Sequence, residues 1–307
     1  MISRPPQKPM PIDKLASEVA DDIILHVCKE HANVAMADAL MEAMGFKRVT
    51  ALKTGIPKRK PNWLARDRFL APHEKRVKTM MRKHWKDEYR VITSNMNKYP
   101  LKGKLAQVVT KGTEDEIIDQ WLYPSSKYSA KLSKEAKRVL GPLLSSAIKR
   151  AIADYGFDIA FQVVNDSALS WLSEYAFKFS DKLEAVSIDK LRMTLTEGIR
   201  AGESIDKLKG RVFDTFEKWS AGQGSRAEAI ARTECSRAEN YGNLKTCRAM
   251  GIKRKVWFAF PDCCEICAGM DNEDVPIDEL FSNGEDAPPA HVRCRCSLSG
   301  FDEEWAG

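Results

Sequence analysis

The sequence predicts a mainly α-helical protein that closes in a small α+β module stabilised by zinc at its C-terminus. Three observations lead there. Along most of the 307 residues the apolar positions recur every three or four residues, the spacing of a helix face. A strand-like run appears once and late, at Lys255-Val-Trp-Phe-Ala-Phe260. Five of the eight cysteines (Cys263, Cys264, Cys267, Cys294, Cys296) then fall within 34 residues, beside His291. Such clustering in a chain that opens without an export signal favours a metal site over a disulfide framework.

Taken in order, the elements divide into four segments. Residues 1–45 form an N-terminal arm and helix. Four prolines in residues 1–11 give the extended arm, and Leu15, Val19, Ile23 and Val27 mark one face of a helix that stops at Gly45. Residues 46–110 form a basic loop and a long helix. Gly55, Pro57 and Pro61 punctuate the loop, 46–70, which carries Lys58-Arg59-Lys60. The helix is expected from Pro72, with Val77, Met81, Trp85, Tyr89, Ile92 and Met96 on one face and Pro100 past its end.

Residues 111–186 are a central helical region. A short helical piece lies around Asp115–Leu122, and two further helices over 131–179 break near Gly156. Trp171, Leu172, Tyr175 and Phe179 form an aromatic stripe suited to the core. Residues 187–307 complete the chain. Ser187 and Ser204 each resemble helix N-caps, the first helix ends at Gly202, and a longer helix runs from Ser225 to Met250 before Gly251. The single strand and the cysteine-bearing, loop-rich tail follow.

Composition narrows the function. With 43% apolar and 30% charged residues the chain belongs with folded globular proteins. No apolar run approaches the ~20 residues that cross a bilayer, and the first residues lack the apolar core of a secretory signal. Membrane and secreted roles are therefore not expected. The net charge of +6 hides an uneven distribution: Lys47–Arg90 holds 15 Lys and Arg against 4 Asp and Glu. The remainder is slightly acidic. Basic groups at this density, with Trp63, Phe69, Trp85 and Tyr89 interleaved, suit sequence-independent contact with double-stranded DNA. Lys58, Arg59, Lys60, Arg66 and Arg68, on the expected loop, are the candidate contacts with DNA or with an acidic partner. Trp85 and Tyr89 fit a core stripe better.

The sharpest chemical pattern is Cys264-x-x-Cys267, then 23 residues, then His291-x-x-Cys294-x-Cys296. Zinc takes four soft or borderline ligands in a tetrahedron, and a closely spaced cysteine pair supplies two of them. The second pair is either His291 with Cys294 or Cys294 with Cys296. A full ligand set makes the site structural, one zinc per chain, and lets metal binding replace an apolar core that a short tail cannot build. His26, His31, His73 and His84 sit singly and suggest no ligand group. On the Ser225–Met250 helix, Glu228, Arg232 and Ser236 share a face; alone, they suggest an intrahelical ion-pair ladder.

Ile230-Ala-Arg-Thr-Glu234, then Asn240, Trp257, Asp262-x-Cys264-x-x-Cys267, Asp271-Asn272 and Pro288-Pro-Ala-His291-x-x-Cys294-Arg-Cys296 follow one another in an order that resembles the phage Mu protein F-like family of minor head, or head-morphogenesis, proteins of tailed bacteriophages. The resemblance covers about residues 187–300. The chain departs from the family pattern at Asn272, where glycine is usual, and at Val292, where proline is common. Asparagine tolerates a left-handed turn, so the first departure leaves the turn intact.

The resemblance implies a virion protein present in few copies, inside the head at or near the portal, and in the host cytoplasm during assembly. Its implied roles are head assembly and DNA packaging or ejection, with the portal protein and the major capsid or scaffold proteins as partners. It implies no catalysis. Arg232, Thr233, Glu234 and Asn240 would belong to the family's characteristic helix and would tie it to the zinc module by buried hydrogen bonds. The competing expectations are a zinc-containing phage nuclease or toxin-like effector, and a DNA-binding module alone.

Overall fold

The computed structural model describes residues 56–99, 113–156, 161–222 and 224–303. The arm and helix expected over 1–45 lie outside these residues. So do the start of the basic loop and residues 101–112. The described chain is mainly helical and ends in a small antiparallel sheet. Among its described residues no helix is long and apolar enough to cross a membrane.

Helix α1 (Trp63–Lys98) begins nine residues before Pro72. Asn62 caps it, its side chain accepting from the Ala65 N–H at 3.0 Å. The expected loop over 46–70 is therefore shortened, and Arg66 and Arg68 stand on a helix. Pro72 lacks an N–H and would ordinarily break the element. Here the helix continues through it because residues on both sides are anchored: Arg66 and Leu70 before it and Val77, Met81 and Trp85 after it are all buried. The expected apolar stripe is present, with Ile92 and Met96 also buried and Tyr89 half-buried against Phe213 and Phe216.

Helices α2 (Thr113–Trp121) and α3 (Ser125–Tyr155) follow, and α3 ends at Gly156 in a left-handed cap, φ 72°. Helix α4 (Phe161–Arg200) runs unbroken through Ser187. That serine is no cap. It is buried, and its hydroxyl donates back to the Leu183 carbonyl at 2.7 Å, which satisfies it inside a continuous helix. Helix α5 (Ile205–Ser220) does begin at a capping serine, Ser204. The aromatic stripe of α4 packs inward, with Trp171 stacked on Tyr241 at 3.6 Å.

Helix α6 (Arg226–Ala249) is the hub. It packs against α1, α3, α4 and α5, and against strand β3 (Ser297–Phe301). Close approach to α3 needs Gly242, where a Cβ would lie 3.1 Å from the Ala147 Cβ. At its N-terminus Ser225 accepts from the Glu228 N–H while the Glu228 carboxylate accepts from Gly224, a reciprocal cap.

Strand β1 (Arg254–Phe258) lies between β2 (Asp274–Pro276) and β3, both antiparallel to it. Sequence periodicity indicates β1 alone; β2 is too short and β3, Ser-Leu-Ser-Gly-Phe, too small and polar to stand out. The outer edge of β3 is covered rather than exposed. Its Leu298 N–H donates to Asn240 Oδ1 at 2.8 Å, its Gly300 N–H donates to the Tyr155 hydroxyl at 2.7 Å, and Ile56 bridges Asp302. A Cβ at Gly300 would come within 2.7 Å of Cys247 Sγ, so only glycine lets the strand lie against α6.

Candidate metal centre

Two hydrogen-bonded knuckles face each other in the C-terminal module. The first is the start of helix α7 (Glu265–Gly269), where Cys264 is the N-cap and Cys267 the third helical residue. The Ala268 N–H donates to the Cys264 carbonyl at 2.9 Å and the Met270 N–H to the Cys267 carbonyl at 3.2 Å, so both thiols leave one tight turn. The second knuckle is His291–Cys294, closed by the Cys294 N–H donating to the His291 carbonyl at 3.2 Å. Arg293 supplies its left-handed residue, φ 67°.

Both knuckles bring their donors together. Cys264 Sγ and Cys267 Sγ each lie 3.2 Å from His291 Nε2, and Cys267 Sγ lies 3.8 Å from Cys294 Sγ. Cys267, Cys294 and Cys296 form a second close group, so Cys267 is shared by two triads of donors. Zinc–sulfur bonds of about 2.3 Å at tetrahedral angles set a sulfur–sulfur edge of about 3.8 Å and a sulfur–nitrogen edge of about 3.5 Å. The spacings here approach both. His291 Nδ1 lies 2.9 Å from the Val292 carbonyl, which assigns the ring proton to Nδ1 and leaves the Nε2 lone pair facing the sulfurs.

The surroundings favour thiolate chemistry at Cys294. A hydrogen bond from the Cys296 thiol draws the Cys294 thiol down to about 5, while burial pushes Cys267 up to about 12 and Cys296 is also raised. At His291 burial opposes the charged ring, but the Val292 carbonyl and the neighbouring Cys294 and Cys264 outweigh it and raise the pKa. Cys263 is half-buried and takes no part in either triad.

Around the knuckles, Asp271 Oδ1 accepts from the Ala259 N–H at 2.9 Å, and Asn272 adopts the left-handed turn, φ 66°, that its position requires. Lys255, fully buried on β1, donates to the Asp286 carbonyl at 2.9 Å and pairs with its carboxylate. This pins the loop that returns to His291.

The helix residues divide by direction. Thr233 Oγ1 accepts the Arg293 N–H at 2.9 Å, inside the second knuckle. Asn240 Nδ2 donates to the Cys296 carbonyl at 3.1 Å while its Oδ1 takes the Leu298 N–H. These two reach the cysteine module. Glu234 does not: its buried carboxylate accepts from the Tyr175 hydroxyl on α4 at 2.5 Å, and burial raises its pKa. Arg232 lies half-exposed, 3.4 Å from Glu228.

Residues 189–299 match the family model of Phage Mu protein F like protein. Comparisons with curated proteins and with solved structures find no match. The Mu F-like segment opens inside α4, takes in α5, α6 and both knuckles, and closes in β3.

Residues outside the Mu F-like segment complete its site. Arg66, from α1, is buried. Its Nε pairs with Glu239 at 2.6 Å, and its terminal nitrogens donate to the Arg295 carbonyl at 2.7 Å and to Ser236 Oγ at 3.1 Å. Arg66 is therefore not a surface contact for DNA but a strut between α1, α6 and the backbone entering Cys296. Its neighbours differ. Lys60 and Arg68 are exposed. Lys58 pairs with Asp274 and lies 4.4 Å over the Phe301 ring, and Arg59 donates to the Asp154 carbonyl at 2.8 Å. Beyond these five, α1 presents exposed Lys75, Arg76, Arg82, Lys83, Lys86 and Arg90.

Arg66, Glu239, Ser236 and Tyr155 escape a reading by motif because their partners lie far away in sequence. His84 escapes it because Glu184, which completes its group, lies 100 residues away. Far from solitary, its Nε2 lies 2.5 Å from Glu184 and 2.8 Å from Glu88.

Proposed function

We propose that this chain is a minor head protein of a tailed bacteriophage, held at or near the portal inside the head and acting in head assembly and in DNA packaging or ejection. The observation that carries the reading is the Mu F-like match over 189–299, which spans the α6 motif and both knuckles. The module works as a rigid docking unit. One structural zinc clamps Cys264, Cys267, His291 and Cys294, with Cys296 donating to Cys294 from behind. Cys294 is preferred to Cys296 because it shares a hydrogen-bonded turn with His291 and its sulfur sits at the tetrahedral edge distance from Cys267. Four protein ligands leave no open position for an activated water, so this zinc is structural rather than catalytic.

The exposed basic groups of α1, with Lys60 and Arg68, supply sequence-independent contact with packaged DNA. The test of function is whether the tagged chain co-purifies with mature heads and with the portal protein. Recovery with both is expected. Absence from heads together with a failure to bind portal would overturn the reading. A divalent-dependent digestion of DNA that His291→Ala abolishes would replace it with a nuclease.

A further inference from the structure

The helical body holds a second group of convergent donors, far from the cysteines in sequence. His84 and Glu88 are four apart on α1 and share its inward face. Glu184 comes from α4. All three are buried, and one donor atom from each lies within 4.8 Å of the others. His84 Nε2 is 2.5 Å from Glu184 Oε1 and 2.8 Å from Glu88 Oε1.

The hydrogen-bond balance of this group does not close. Nε2 carries at most one hydrogen, and Glu184 Oε1 takes it. Both oxygens of Glu88 and Oε2 of Glu184 are then buried without a well-formed hydrogen bond, and the one hydroxyl proton of Tyr123 cannot serve all three. Tyr123 is 3% exposed and interacts with both carboxylates. Buried polar groups are nearly always satisfied, and orphaned carboxylate oxygens are the costliest exceptions. Arg226 interacts electrostatically with both carboxylates. Its guanidinium stacks 4.6 Å over Trp219 and donates to Ser187 Oγ at 3.1 Å and to the Leu183 carbonyl at 3.4 Å, so it contributes charge without bonding these oxygens.

We propose that His84, Glu88 and Glu184 bind one divalent first-row transition cation inside the helical bundle, with Tyr123 beside it. A dication would bond the carboxylate oxygens that the Nε2 proton leaves unserved, and two carboxylates neutralise it. One imidazole nitrogen and carboxylate oxygens form a harder donor set than the thiolate site, suited to Mn²⁺ or Zn²⁺. The cation would cross-link α1 to α4, next to the buried Trp85. The inference stands apart from the head-protein reading, since it uses none of the Mu F-like match.

The test uses the full chain, refolded with Zn²⁺ limited to one equivalent so that the thiolate site fills, then with excess Mn²⁺, and freed of unbound metal. Mn²⁺ is the probe because thiolates hold it weakly. About one bound Mn²⁺ per chain is expected by electron paramagnetic resonance, since each site holds a single ion. Glu184→Gln, the same size and uncharged, should lower that content more than ~10-fold while bound zinc stays unchanged. A wild-type chain that retains no Mn²⁺ overturns the site and leaves a histidine salt-bridged to two carboxylates. So does a Glu184→Gln chain that retains as much as wild type. Should that variant fail to fold, the wild-type stoichiometry and a Mn²⁺-dependent rise in its melting temperature decide alone, and absence of either overturns the proposal.

Discussion

The hydroxyl of Thr233 accepts the backbone N–H of Arg293 at 2.9 Å, so one side chain of α6 holds the turn that presents His291 and Cys294. The same hydroxyl donates to the Ala229 carbonyl at 2.7 Å, which fixes its direction. Asn240, two turns along, serves Cys296 and Leu298 in the same way. The helix thereby orients the ligands of the proposed metal site from behind.

Removing that hydroxyl while keeping the shape of the side chain isolates its effect. Thr233→Val should destabilise the protein by about 1–2 kcal/mol, because the Arg293 N–H is left without its partner. Asn240→Leu should cost more, about 2–4 kcal/mol, since it orphans both a carbonyl and an N–H at a fully buried position. Denaturant titration checks both. Equal midpoints for Thr233→Val and wild type would show that this hydrogen bond carries no stability.

Arg66 and Arg68 stand two residues apart on α1 and should behave oppositely. Arg66→Met leaves Glu239 buried and unpaired, at a cost of about 3–5 kcal/mol. Arg68→Ala should change stability by less than ~0.5 kcal/mol. Thermal melts of the two variants separate these outcomes.

For DNA the order reverses. Replacing Lys60 and Arg68 by alanine should weaken binding to any duplex by a similar factor and flatten its dependence on salt, by roughly 0.9 in log–log slope for each phosphate no longer neutralised. Affinity measured across a salt series would show it. An unchanged slope would remove both residues from the DNA-facing surface.

The segment before α1 is fastened to the sheet by Asp274. Lys58, followed by Arg254, bonds this carboxylate and holds its pKa below the ordinary carboxylate range. A carboxylate with a depressed folded pKa contributes stability above its unfolded pKa, near ~3.9, and loses it as pH falls through the folded value. Asp274→Asn should therefore lower the melting temperature at pH 7, and the difference from wild type should shrink as pH drops below about 4. A gap that is constant with pH would exclude the ionic origin.

How far the sequence discloses this molecule depends on the range of the interactions involved. The stripe Val77–Met96, the caps at Ser204 and Ser225 and the Cys264-x-x-Cys267 turn are local patterns, and all are visible in one dimension. Pro72 misleads because a proline rule is local, whereas the burial of Arg66 and Leu70 that carries α1 past it is tertiary. Ser187 misleads likewise, since a serine bonded back to Leu183 looks the same in sequence as a capping one. The basic cluster illustrates the limit most plainly. Charge density places Arg66 with its neighbours, but Glu239, 173 residues away, withdraws it from the surface. His84 and Glu88 stand four apart on a buried stripe and are legible as a pair; Glu184, which completes the group, is not.

The central claim, a structural zinc closing the Mu F-like module, is tested most directly by metal analysis of the purified full chain together with Co²⁺ substitution. About one zinc per chain in a thiolate-rich tetrahedral site is expected, with intense sulfur-to-cobalt charge-transfer absorption on substitution, and Cys267→Ser should abolish both. Full zinc content in the Cys267→Ser chain, or a cobalt spectrum without thiolate bands, would contradict it.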